Sequence, residues 1–375
     1  MIKKTIILTL SALVFCLCLV MLSPGASRAG SEFTIIDNST QIEFPTTINF
    51  HLSAESDINI TDVRLLYTIK RLSYAQVTSE AYIEFMPDTN INVGWNLETV
   101  RIGGLPPGSS IEYQWLLEDA NSKKTETAPL RIQFVDSRYP WRSLSEGIIT
   151  IYWYNGDEFF AQELMTAAQQ ALGRLNEDTG AYLEKPAQIY TYASAQDFRG
   201  SMIYPREWTG GAAYTRYGII TIGISPNTLT WGKTAIAHEF THLVIHQMTL
   251  NPYSELPVWL DEGLAMYTEG LLGPQFTNIL NQAITKGSLI SVQSLSSPFS
   301  AHTEHSILSY AQSYSLVEYL LSNYGRGMML ELLNTFSQGS TYDGALEKVY
   351  GFNTDGLDTL WQDYVSKRYQ PVEIK

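Results

Sequence analysis

Among the 375 residues of this chain, His238, Glu239 and His242 carry the types and spacing that point most directly to chemistry. They stand in the run His238-Glu239-Phe240-Thr241-His242. On a helix, residues four apart share a face, so the two imidazoles can grip one cation while Glu239 lies to its side as a general base. That is half of a zinc hydrolase site. The apolar neighbours Ile236, Leu243, Val244 and Ile245 make the helix core-like. An unpaired His-Glu-His cluster inside such a helix is unfavourable, and a divalent cation removes the penalty. The bland alternative is an amphipathic helix whose histidines face water.

The other half follows downstream. Glu262, in Trp259-Leu260-Asp261-Glu262-Gly263-Leu264-Ala265, stands twenty positions after His242, where a carboxylate can return as third ligand and leave a fourth position open for water. His246 continues the four-residue spacing, but His238 and His246 are about 12 Å apart along a helix rising 1.5 Å per residue, too far to share one zinc. His246 is therefore read as a supporting or surface residue. Asp261 rivals Glu262, one residue of helical phase away. Glu262 is preferred because Gly263 and Ala265 would let this second helix pack closely on the first. The longer pattern His-Glu-x-x-His-x-x-Gly-x-x-His is absent, with Ile245 and Met248 at its last two fixed positions.

These motifs resemble the gluzincin zinc metallopeptidases, specifically their peptidase-MA-like branch. The likeness rests on His238 to Gln247 followed by Pro257-Val258-Trp259-Leu260-Asp261-Glu262-Gly263, and it extends over residues 148 to 370. It implies Zn2+ as the cofactor, His238, His242 and Glu262 as its ligands, and Glu239 as the base. A segment around Ser309-Tyr310-Ala311 is similar to the tyrosine-bearing helix of that branch. Tyr310 is accordingly the first candidate for a donor to the oxyanion of peptide hydrolysis, with Tyr314, His302 and His305 behind it. Gly211, Ala212 and Ala213 are small enough to admit a peptide backbone as an added strand, unless they are merely a turn before the next strand. Gly210 to Tyr214 carries no carboxylate to hold a substrate ammonium, which leans towards an endopeptidase over an aminopeptidase. The competing class is an exported binding or adhesion protein with a silent metallopeptidase domain. Retention of all four site residues argues against it.

Lys3 and Lys4 precede an apolar run from Ile6 to Leu22, and Ser27 and Ala29 suit a cleavage site, so residues 1–29 read as a secretory signal. The expected location is extracytoplasmic, with membrane contact only if this segment stays uncleaved as an anchor. Both cysteines, Cys16 and Cys18, fall within it, leaving the remainder without thiol or disulfide chemistry. Removing it takes away Lys3, Lys4 and Arg28 and no acidic residue, which leaves 21 basic against 38 acidic residues. Such a balance excludes nucleic acid as a natural partner and leaves a polypeptide as the expected one.

The positioning elements divide into two regions. Residues 31–136 alternate apolar and polar with turn signals between short runs, predicting an all-β sandwich of immunoglobulin or fibronectin character with Trp115 in its core. Residues 137–147 are expected as a linker. From 148 to 372 the pattern predicts an α+β zincin-like metallopeptidase domain. A strand at 148–154, a helix at 157–177, strands at 187–192 and 219–222 and the zinc helix at 231–249 lead into a helical C-terminal subdomain.

Overall fold

The computed structural model describes residues 32–73, 75–205, 210–300 and 302–369. The expected secretory signal, residues 370–372 and Thr209 lie outside them.

Alternation of apolar and polar side chains folds the N-terminal region into seven antiparallel strands: β1 (Thr34–Glu43), β2 (Thr47–Ile69), β3 (Thr78–Tyr82), β4 (Asp88–Glu98), β5 (Ser109–Asp119), β6 (Lys124–Glu126) and β7 (Leu130–Phe134). Their hydrogen bonds form one continuous sheet rather than two separate ones, because the 23-residue β2 belongs to both halves. Up to Glu55, β2 pairs with β1 and β4; from Ile60 it pairs with β5 and then β3, with Asp88 of β4 still opposite Ile60. The inward rows Ile48, Phe50, Leu52 and Ala54 of β2 and Ile111, Tyr113, Trp115 and Leu117 of β5 share one core. Phe50 meets Tyr113 edge to face at 5.0 Å, and the Trp115 indole N–H donates to Asn38 on β1 at 3.1 Å. Strand β4 is absent from the sequence expectation because Asn90, Asn92 and Asn96 disguise the buried row Ile91, Val93 and Leu97.

The expected linker is half structured. Arg142–Glu146 forms β8, the antiparallel edge of a second sheet with β9 (Ile149–Trp153), β10 (Ala187–Tyr192), β11 (Gly211–Tyr214) and β12 (Ile219–Gly223), in the order β11-β12-β10-β9-β8. Strands β9, β10 and β12 are parallel, whereas β11 runs antiparallel along β12 at the far edge. Ahead of β8, the buried Asp136 accepts from Arg138 and from the Tyr192 hydroxyl, tying the segment to the sheet. Across the regions, the Leu72 N–H donates to the Arg216 carbonyl.

Helix α1 (Glu158–Thr179) crosses from β9 to β10, started by Asp157, whose side chain accepts the Phe160 N–H. A short α2 (Ala195–Arg199) follows β10, and α3 (Leu229–Met248) carries the His-Glu-x-x-His motif. Next come α4 (Val258–Glu269), α5 (Pro274–Lys286), α6 (Val292–Leu295), α7 (Thr303–Ser337), α8 (Tyr342–Tyr350) and α9 (Thr354–Arg368). Helix α7 is broken at Gly325, whose φ of 78° lies in the left-handed region. The reversal from α3 to α4 depends on Asn251 as well as on the prolines. Its amide donates to the carbonyls of Thr249, Ser254 and Phe336, and its oxygen accepts from the N–H groups of Tyr253 and Ser254.

Gly263 serves a different contact from the one the sequence suggests. Its bare face lies on α7 rather than α3, and a Cβ there would run into the Ser313 carbonyl and the Val317 side chain. Backbone cannot yield as a flexible side chain does. Gly263→Ala should therefore lower stability by about 1–3 kcal/mol, the usual effect of overpacking, read as a lower denaturant midpoint at unchanged slope.

Candidate metal centre

Helix α3 anchors one face in the core through Ile236, Phe240, Leu243 and Val244, all fully buried. The opposite face turns His238, Glu239, His242 and His246 towards α4 and the sheet edge. Nε2 of His238 and Nε2 of His242 lie 3.2 Å apart, and Oε2 of Glu262 lies 3.3 Å from the first and 3.5 Å from the second. Two imidazole nitrogens and one carboxylate oxygen thus converge on a single point between the helices. Asp261 takes a different direction, its Oδ1 on His242 Nδ1 at 2.8 Å and its Oδ2 on His246 Nε2 at 3.0 Å. The phase ambiguity between Asp261 and Glu262 resolves into two roles, since only Glu262 reaches the Nε2 side.

The fit to a cation can be tested on one atom. Oε2 of Glu262 is buried and has no hydrogen-bond partner. A buried carboxylate oxygen left without a donor is strongly unfavourable, and a divalent ion shared with the two imidazoles supplies what is missing. The donor set, two nitrogens and one oxygen, suits zinc with an open fourth position. His242, His246 and Asp261 also cluster, but the hydrogen bonds to Asp261 already occupy Nδ1 of His242 and Nε2 of His246.

Each imidazole is oriented from behind. His238 Nδ1 meets Oε1 of Glu269 at 2.6 Å, and His242 Nδ1 meets Asp261, so in both rings Nε2 is the nitrogen left for a cation. Glu269 is absent from the sequence reading, although a signal existed: seven residues after Glu262 is two helical turns, on nearly the same face. Burial would lower the His238 pKa, but Glu262 and Glu269 outweigh it and raise it to about 9. Burial would likewise raise the Glu262 carboxyl, but His242 and His238 pull it down to about 2. Glu239 is shifted the other way, raised chiefly by burial despite the nearby histidines and a hydrogen bond from the Ala213 backbone.

The small residues Gly211, Ala212 and Ala213 make up most of β11 at the open edge of the sheet, not a turn. A Cβ on Gly211 would sit 2.7 Å from Oε1 of Glu239, so this position must be bare for the carboxylate to lie where it does. Tyr310 on α7 approaches the centre, its ring 6.4 Å from that of His238. Burial, reinforced by Glu262, Glu239, Glu269 and Asp261, pushes its hydroxyl pKa well up, so it stays protonated as a donor. Tyr314 is turned away against Tyr267 at 5.6 Å, and His302 and His305 are exposed at the start of α7; these three alternatives are not brought to the centre.

Residues 167–367 match the Peptidase MA superfamily. No curated protein matches the chain. Among solved structures, an M1 zinc metallopeptidase from Deinococcus radiodurans aligns over 88% of this chain and 92% of its own, at 12% identity and a TM-score of 0.34. Wild-type OgpA from Akkermansia muciniphila aligns over 28% of this chain at 10% identity and a TM-score of 0.22, and the chain spans only 27% of that protein's length.

Protons and a cation compete for the same Nε2 atoms. Because His238 holds its proton up to about pH 9 without metal, apparent zinc affinity should rise as pH increases from 6.5 towards 9, by up to about tenfold per unit for each proton displaced. Glu269→Gln and Asp261→Asn should each weaken zinc binding by about 10- to 100-fold. Titration against a chromophoric chelator at several pH values checks both, and a flat pH profile would contradict the competition.

Proposed function

The chain belongs to the Peptidase MA superfamily, and from that premise we propose that it is an exported zinc-dependent endopeptidase. The observation that carries this reading is the meeting of His238, His242 and Glu262 around an otherwise unpartnered buried carboxylate oxygen. These three side chains would hold the metal. When bound, zinc supplies Lewis acidity and brings the pKa of water towards neutrality.

This chain's own residues then have separate tasks. Glu239, with a carboxyl raised by burial, accepts the proton that water loses as it attacks the scissile carbonyl carbon, and passes it to the leaving amine. Its rise in pKa brings it nearer the operating pH, where a group is most effective at both halves of such a transfer. The Tyr310 hydroxyl donates to the carbonyl oxygen as charge develops there. Edge strand β11 offers its free backbone to an extended polypeptide, with Gly211, Ala212 and Ala213 keeping side chains out of the way. Endopeptidase action is favoured because Gly211–Tyr214 carries no carboxylate to fix a substrate ammonium. Export is favoured by the basic and apolar opening of the chain, and no helix among the described residues is long and apolar enough to cross a membrane.

With an unstructured polypeptide as substrate, Glu239→Gln should lower turnover by roughly 10²–10⁴-fold while zinc content stays stoichiometric. Tyr310→Phe should lower it by about 10- to 1,000-fold with metal likewise retained. Product analysis by mass spectrometry alongside metal analysis reads both, and a wild type indistinguishable from Glu239→Gln would end the peptidase reading. N-acetylated peptides should be cut as fast as unblocked ones. Dependence on the free amine would instead indicate an aminopeptidase.

A further inference from the structure

A cleft of ≈ 790 Å³ opens beside the centre, with Glu262 and Tyr310 in its wall. We infer that it is a specificity pocket for one large apolar or aromatic side chain of the substrate, next to the scissile bond. The inference rests on the peptidase reading above and adds to it a class of substrate.

Three helices and one connection build the pocket. Val258 opens α4, Phe276 lies in the first turn of α5, Phe299 precedes α7, and Ile307 is one turn before Tyr310. Each is only partly buried, with Phe276 and Phe299 packed on the core along one side and open to the cleft on the other. Phe299 stands edge-on to Tyr310 at 5.3 Å, so the apolar side of the cleft adjoins the candidate centre. Among the described lining residues there is no lysine or arginine, and the one carboxylate is Glu262, which the reading assigns to the metal. A charged substrate side chain would lose water there and meet no opposite charge, only the Ser300, Thr303 and Ser306 hydroxyls, whereas an apolar one is transferred favourably. The volume lies within the usual range of ligand pockets, roughly 300–1,000 Å³. A peptide paired along β11 turns successive side chains to opposite faces, so one beside the scissile bond can enter such a pocket.

The test uses the full chain with zinc supplied and N-acetylated peptides that differ only in one residue flanking the cut: Phe, Leu, Ala, Lys or Glu. Cleavage of the Phe and Leu peptides should exceed that of the Ala, Lys and Glu peptides by about 10- to 100-fold in kcat/KM. Equilibrium binding of the same peptides to Glu239→Gln should follow the same order without needing turnover. Ile307→Trp, which narrows the cleft beside Tyr310, should bring cleavage of the Phe peptide down towards that of the Ala peptide. Ile307→Arg should bring in the Glu peptide, a gain that misfolding cannot produce. Rates and affinities equal within about threefold across the series would overturn the pocket even if hydrolysis is intact. Preferential binding of Phe without any hydrolysis would uphold the pocket and remove the peptidase reading instead.

Discussion

Four carboxylates, Glu239, Asp261, Glu262 and Glu269, meet three imidazoles, His238, His242 and His246, in a mostly buried space between α3, α4 and the edge of the second sheet. With neutral imidazoles this group is heavily negative, and the penalty for burying uncompensated charge exceeds what most core packing returns. Protonating His238 and His242 compensates part of it, which is why the pKa values of these two rise against the burial that would lower them. A divalent ion would do so more completely, because it would also satisfy the Glu262 oxygen, which lies 3.3 Å from Nε2 of His238 and makes no hydrogen bond. The donor set of the cluster is compatible with a divalent cation such as zinc.

That requirement sets the placement of everything nearby. Asp261 and Glu269 approach from behind the imidazoles, leaving both Nε2 atoms on the same side. The sheet edge comes so near Glu239 that only glycine fits at position 211. The same closeness brings the Ala213 N–H to the carboxylate, partly offsetting burial and holding it beside the cation position. Strand β11 is therefore at once a wall for the Glu239 carboxylate and an open backbone edge, two properties that need small residues for the same steric reason.

The side chains that converge between α3 and α4 were more legible in the sequence than the framework. His238, Glu239 and His242 follow from a four-residue helical spacing that does not depend on tertiary structure. Glu262 against Asp261 was not decidable, because one residue turns a helix by about 100° and nothing local reports where the partner helix lies. Tyr310 and Tyr314 share a similar limit: both lie on α7, and only packing against Tyr267 shows that the second is turned away. In the framework, β10 follows its periodic run to the residue, whereas β4 and β8 escaped notice. Edge and polar-faced strands bury half or less of their side chains, so alternation is weak where asparagine and serine replace charged residues on the outer face. The continuous sheet of the N-terminal region was illegible for another reason. Whether one strand serves both halves depends on a bend near 56–59 in β2, and the apolar rows on either side of it look alike in either arrangement.

Three consecutive residues of α4 show how the catalytic centre and the helical subdomain are geometrically one unit. Asp261 faces His242 and His246, Glu262 faces His238 and His242, and Gly263 faces the α7 backbone at Ser313. At about 100° per residue these directions surround the helix, so α4 is fixed on α3 and on α7 together. Ser313 lies three residues, about one turn, from Tyr310. The close approach that glycine permits at 263 therefore also sets how near the Tyr310 ring comes to His238. A bulkier residue there would push α7 outward and carry the phenol with it, even though it touches neither the metal position nor the substrate. How near Tyr310 comes to His238 is, in this fold, a consequence of helix packing.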